Sequence, residues 1–256
     1  MTQPKPPIEW NVLVARLTVF PESLTDNSHA DWWKVVTGSE PENEQRRPRE
    51  GIAEYTGTAR IGDSRDVSLI LGTRLDRTDW VIRALDRVDA TTGAPELLGA
   101  VSTVLPEFTS LLTPWLTTKS PPALRVALGV QLTAIVDTPE RGYELLLPYL
   151  PLKVEPTGIS DLLFRINRPR RSKSLEDDTM INRLSTWSVG KFSTFVVPIS
   201  GGGTPRPGSS VFGCRLELDI STEQGRTTPL PTAEISGLLN ELATLSLEIA
   251  EEGDKP

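Results

Sequence analysis

Twice along this chain a strand-like segment is followed by a short helix, three further strand-like segments and a long helix. That order constrains the fold more than any single motif. Segments 8–20, 51–61, 65–74 and 78–86 are rich in β-branched and aromatic residues and are bounded by polar or Pro-containing turns, as strands are. Segment 94–118 differs. Its Leu97, Leu98, Val101, Val104, Leu105, Phe108, Leu111, Leu112 and Trp115 follow the i, i+3, i+4 spacing of an amphipathic helix. Pro106 is expected to kink or divide that helix. A short helix is expected at 28–38, capped by Asn27 or Ser28 and ended at Gly38, with a polar loop at 39–50. After residues 119–122 the order restarts: strand 123–136, helix 139–150, strands 158–169, 179–197 and 211–221, and helix 231–253. The Gly/Pro/Ser-rich stretch 200–210 reads as a loop.

The expected fold class is α+β. Two pseudo-duplicated halves, 8–118 and 123–253, follow a disordered Pro-rich tail at 1–7. Each half is an antiparallel sheet packed on one face by its long helix. The two sheets either stand apart or join into one curved sheet, as in the TATA-binding-protein-like double folds. A chain of 256 residues can bury a core in either arrangement.

Composition narrows the chemistry. Cys214 is the only cysteine and His29 the only histidine, so an intrachain disulfide and zinc sites built from Cys and His are excluded. A nucleophile-histidine arrangement would have to use His29. The Gly201–Gly203 run lacks the Lys-Ser/Thr of a phosphate loop. Asp76, Asp79, Asp86 and Asp89 interleave with Arg74, Arg77, Arg83 and Arg87, which reads as a salt-bridged surface before it reads as a metal site. No cofactor is expected, and the balance leans away from an enzyme. The start of the chain lacks an apolar signal core and no apolar run reaches membrane-spanning length, so a cytoplasmic location is expected. The formal charge of −7 argues against a general nucleic-acid coat but not against a local basic patch.

One patch stands out. In FRINRPRRSKSLEDDTMINRLSTWSV (164–189) the tripeptide Ile-Asn-Arg occurs twice, flanking a basic and then an acidic run. If Arg168 opposes Arg183, a hairpin centres near residues 175–176, and Trp187 shares the face of Arg183. Arg165, Asn167, Arg168, Arg170, Arg171, Arg183 and Trp187 are the candidate ligand- or partner-binding residues: Arg offers a two-pronged donor for phosphate or carboxylate, and Trp a stacking surface. The competing expectation is that these arginines pair with Glu176, Asp177, Asp178 and the acidic C-terminal helix. Asn167 and Asn182, disfavoured in strands, are expected either to mark bulges or to bond a neighbouring backbone. RRPRE (46–50) reads as a solvated loop.

The stretches LTVFP (17–21), DWW (31–33), DWVIRA (79–84), SDLLFRINRPRRS (160–172) and INRLSTWSV (181–189) resemble recurring motifs of uncharacterised, sporadically distributed bacterial proteins of similar length. The pattern CRLELDIS followed by a helix is similar to the end of a broader set of sporadically distributed bacterial proteins. The resemblance implies no reaction or ligand; its patchy occurrence is compatible with accessory roles such as phage defence or toxin control. The function expected is a non-enzymatic binding or regulatory protein engaging a partner protein or anionic ligand through the 164–189 hairpin face. The alternatives are a nucleic-acid-binding module using the same hairpin, or a metal-dependent hydrolase using carboxylates.

Overall fold

The computed structural model describes residues 6–23, 29–85, 94–196 and 206–254. Its elements, in chain order, are β1 (Asn11–Pro21), α1 (Ala30–Thr37), β2 (Asn43–Arg47), β3 (Ile52–Ile61), β4 (Arg65–Arg74), β5 (Arg77–Arg83), β6 (Gly99–Ala100) and α2 (Val101–Thr118). These are followed by β7 (Ala123–Val136), α3 (Pro139–Leu146), β8 (Leu163–Asn167), β9 (Arg170–Arg171), β10 (Met180–Val196), β11 (Arg206–Thr222) and α4 (Ile235–Glu252). The strands form one antiparallel sheet in the order β2-β3-β4-β5-β1-β7-β11-β10-β8, with β6 added to β1 and β9 to β10. Strands β1 and β7 therefore meet at the centre: Leu17 lies opposite Leu128 and Val19 opposite Val126.

Strand periodicity decides which face is covered. Leu17 and Val19 on β1, Leu69 and Leu71 on β4, Trp80 and Ile82 on β5, Leu128 and Leu132 on β7, and Leu216 and Ile220 on β11 are all buried. They join one cluster with Val104, Phe108 and Leu112 of α2 and Leu238, Leu242 and Ile249 of α4. Each fully buried aliphatic side chain of this kind contributes roughly 1.5–3 kcal/mol relative to exposure. Helix α1 is pinned by indoles: Trp33 stacks on Trp80 at 6.2 Å, and Trp115 of α2 meets Trp80 at 5.5 Å and Trp32 at 5.6 Å. Helix α3 sits on the same side, where Cys214 Sγ approaches the Gly142 carbonyl at 3.6 Å. The opposite face of the sheet carries the alternate residues and none of these helices.

The α+β class and the large antiparallel sheet are as expected, and several boundaries differ. Helix α2 starts at Val101 rather than 94, because the Leu98 and Val101 N–H groups donate to the Val12 and Trp10 carbonyls and hold the preceding segment as strand. Pro106 does not divide α2, and Pro114 lies within it too. The carbonyls these prolines leave without an i+4 donor belong to Ser102 and Ser110, both exposed to water. The loop expected at 39–50 contains the edge strand β2, whose five residues are all exposed. Strand β11 begins at Arg206, inside the stretch read as a loop. The α4 helix is shorter than 231–253, and α3 ends at Leu146 before a 3-10 turn at Leu147–Tyr149. The Asn27 and Ser28 caps, Asp86, Asp89 and the glycines at 201–203 lie outside the described residues. No helix of the described chain is long and apolar enough to cross a membrane.

Candidate functional site

The doubled Ile-Asn-Arg forms two rungs of one hairpin. Asn167 lies opposite Leu184, the Arg168 N–H reaches the Arg183 carbonyl at 3.4 Å, and Arg171 lies opposite Met180. This register turns about residues 175–176, as the spacing predicts. Asn167 is structural at this rung: its Oδ1 accepts the Arg183 N–H at 2.9 Å and its Nδ2 donates to Asn182 Oδ1 at 2.9 Å.

Alternation then splits the candidates between two faces. Arg168, Arg170, Arg183 and Trp187 turn toward α4, whose charged residues are Glu241, Glu248, Glu251 and Glu252, with no basic residue among them. Arg168 Nε donates to both carboxylate oxygens of Asp254 at 3.1 Å, and Asp254 is only 8% exposed. Arg170 Nη1 meets Glu248 Oε2 at 3.0 Å. Arg183 is squeezed in with them: burial, and then the neighbouring Arg170 charge, lower its pKa, while Glu248 and Asp254 pull it back. Its Nε finds no acceptor. Trp187 is fully buried, meets Trp10 edge-on at 6.0 Å, and donates its indole N–H to Ser185 Oγ at 3.0 Å.

The hairpin tip is clamped on α4 as well. Glu241 accepts from Ser172 Oγ at 2.8 Å, Lys173 N–H at 2.8 Å and Ser174 N–H at 3.0 Å. Partial burial pushes the Glu241 carboxyl up, but these donors outweigh it and hold its pKa below the ordinary value. Arg171 pairs with Asp178 at 2.7 Å in solvent, and Asp177 is held low by the Thr179 hydroxyl and by Arg226. Arg168, Arg170 and Arg171 thus meet Asp254, Glu248 and Asp178.

Arg165 and Asn167 face the other way and are exposed. On that open face the register aligns Val81, Arg16, Gly129, Asp219, Leu184 and Asn167 in one row across β5, β1, β7, β11, β10 and β8. The next row is Arg83, Val14, Gln131, Glu217, Thr186 and Arg165. Most of these side chains line an open groove of about 520 Å³ that crosses the strands. Arg16, Arg165, Glu217 and Asp219 all line it, and among the described residues none of the four is engaged in a side-chain hydrogen bond or ion pair. Gly129 leaves the floor open, and the Arg16 guanidinium lies across it, with Nη2 3.5 Å from where a Cβ would stand. Two further arginines lie over aromatic rings: Arg125 over the Phe20 ring at 4.7 Å and Arg215 over Phe192 at 4.3 Å.

Other candidates are spoken for. Asp79 accepts from Thr18 Oγ1 at 2.6 Å and pairs with Arg77 at 3.0 Å. Arg46 and Arg47 pair with Glu44 and Glu50. No group of three His, Cys, Asp or Glu placed to hold a metal occurs among the described residues. Cys214 is buried, and burial raises its thiol to about 12, so it is protonated at neutral pH and a poor nucleophile. Sequence reasoning missed Arg16, Glu217 and Asp219. No local signal marks them; only the pairing of β1, β7, β11, β10 and β8 brings them to Arg165.

No protein-family model matches the chain, and no curated protein and no solved structure is significantly similar to it.

Proposed function

We propose that this chain is a non-catalytic binding protein that engages a partner protein or anionic ligand through the open face of its sheet, to which the 164–189 hairpin contributes Arg165. One observation carries the reading: Arg16 and Arg165 line a single solvent-open groove and, among the described residues, have no acid of their own. A guanidinium left without a partner on a shaped surface is a ready donor for carboxylate or phosphate. Arg168, Arg170 and Arg171 already have theirs, and Arg183 is half-buried against α4, so the proposed anion-binding role falls to the opposite side of the same strands. The nucleic-acid alternative draws on the arginines along the open face, but Glu217 and Asp219 sit at its centre and repel phosphate. The carboxylate-metal alternative gains no support from the positions of the acids. The mirrored strand order about β1 and β7 supports an origin by internal duplication.

Nitrogen-15 NMR of the arginine Nε–H groups tests the reading, with free glutamate and inorganic phosphate, both too short to reach across Glu217 and Asp219, as probes. The expected result is a salt-sensitive shift of the Arg16 and Arg165 signals with Arg168 unmoved. Shifts confined to Arg168, Arg170 and Arg183, or no shift with either probe, would overturn it.

A further inference from the structure

We infer that the open-face groove takes a polyproline-II segment of a partner protein in which a basic side chain is flanked, three residues away on each side, by acidic ones. The inference rests on the reading of this face as the binding surface and names its occupant. Across the sheet the unpartnered charges run cation, anion, cation: Arg16 on β1, Asp219 and Glu217 on β11, Arg165 on β8. Each step spans two strands, since β7 separates β1 from β11 and β10 separates β11 from β8. Two inter-strand spacings make about 9.6 Å. A polyproline-II helix returns the same face every three residues and advances about 9.3 Å in doing so. Arg16 shares the row of Asp219 and Arg165 that of Glu217, so an acid-x-x-base-x-x-acid segment laid slightly obliquely across the strands meets Arg16, then Asp219 and Glu217, then Arg165.

An extended β-strand does not fit, because residues three apart point to opposite sides. Nor does a uniformly anionic chain such as single-stranded nucleic acid, which would bring phosphates onto Glu217 and Asp219. Between the charged steps the floor carries no charge: Gly129 and Gln131 stand on β7, Leu184 and Thr186 on β10, and they offer apolar and neutral polar contacts to the intervening prolines.

The test is fluorescence anisotropy on the full chain with four labelled probes: EPPKPPE, its charge inverse KPPEPPK, the all-acid EPPEPPE, and oligothymidylate of twelve residues. EPPKPPE is expected to bind about tenfold more tightly than KPPEPPK and to weaken about tenfold in Arg16→Glu or Arg165→Glu. The double variant Glu217→Lys, Asp219→Lys is expected to switch preference to EPPEPPE, a gain that misfolding cannot mimic. Equal affinity for EPPKPPE and KPPEPPK overturns the inference. Binding of oligothymidylate but no peptide, dependent on Arg16 and Arg165, overturns it while leaving the anion-binding reading intact. Binding of every probe unchanged by Arg16→Glu and Arg165→Glu, or no binding by the wild-type chain, sinks both. Self-association seen by sedimentation and abolished by Arg165→Glu would make the occupant a second copy and also overturn it.

Discussion

The two faces of the β8–β10 hairpin carry the same residue types and meet opposite fates. Toward α4, Arg168 and Arg170 are held by Asp254 and Glu248, and Trp187 is buried among Trp10 and Tyr149. Toward solvent, Arg165 lines the groove and, among the described residues, has no acid of its own. One residue of offset decides whether an arginine completes the fold or remains available to a ligand. A basic run read as a single patch is therefore two sets of side chains, and only the set facing away from α4 is free to bind.

The largest effect that would break this comparison lies at Trp187. Trp187→Ala is expected to lower stability by about 3–5 kcal/mol, measured by urea unfolding, because the indole fills the core between Trp10 and Tyr149. A loss below about 1 kcal/mol would mean the helix-side face is not packed as described. Next in size is Arg168→Met, which strands the carboxylate of Asp254 and is expected to cost about 1–3 kcal/mol. A double-mutant cycle with Asp254→Asn should show coupling, and additive effects would deny the pair.

Acid sensitivity sharpens the contrast further. Glu241 has its pKa lowered in the folded state from an ordinary 4.5. Its stabilising contribution is therefore complete above that value and disappears as pH falls through the lower folded pKa. Glu241→Gln should flatten the pH dependence of the unfolding midpoint in that acid window. An unchanged slope would show that the tip is not clamped through this carboxylate. The smallest expected effect is at the open face: Arg165→Ala should change stability by less than about 0.5 kcal/mol in the same unfolding assay.

The hairpin was legible in the sequence because its information is local. The doubled Ile-Asn-Arg set the register, and the two asparagines signalled side-chain bonding to a neighbouring strand. Which arginines would be engaged was only half legible, since Glu248 and Asp254 come from the far end of the chain. Strand β2 was illegible for another reason: NEQRR has no apolar alternation, being an edge strand exposed along its whole length. The start of α2 misled because Leu97 and Leu98 continue the helical spacing while the backbone there bonds to β1. The groove was out of reach altogether. Arg16, Arg165, Glu217 and Asp219 meet only through strand order, and no spacing along the chain encodes that order.

The most direct test of the central claim compares Arg165→Glu with Arg168→Glu on matched preparations, reading urea unfolding and EPPKPPE binding for each. The account predicts that Arg165→Glu unfolds like the wild type and loses binding, whereas Arg168→Glu unfolds at lower urea and binds normally below its transition. An Arg168→Glu chain of wild-type stability that no longer binds, beside an Arg165→Glu chain that still does, would contradict it and place the ligand on the α4 side of the hairpin.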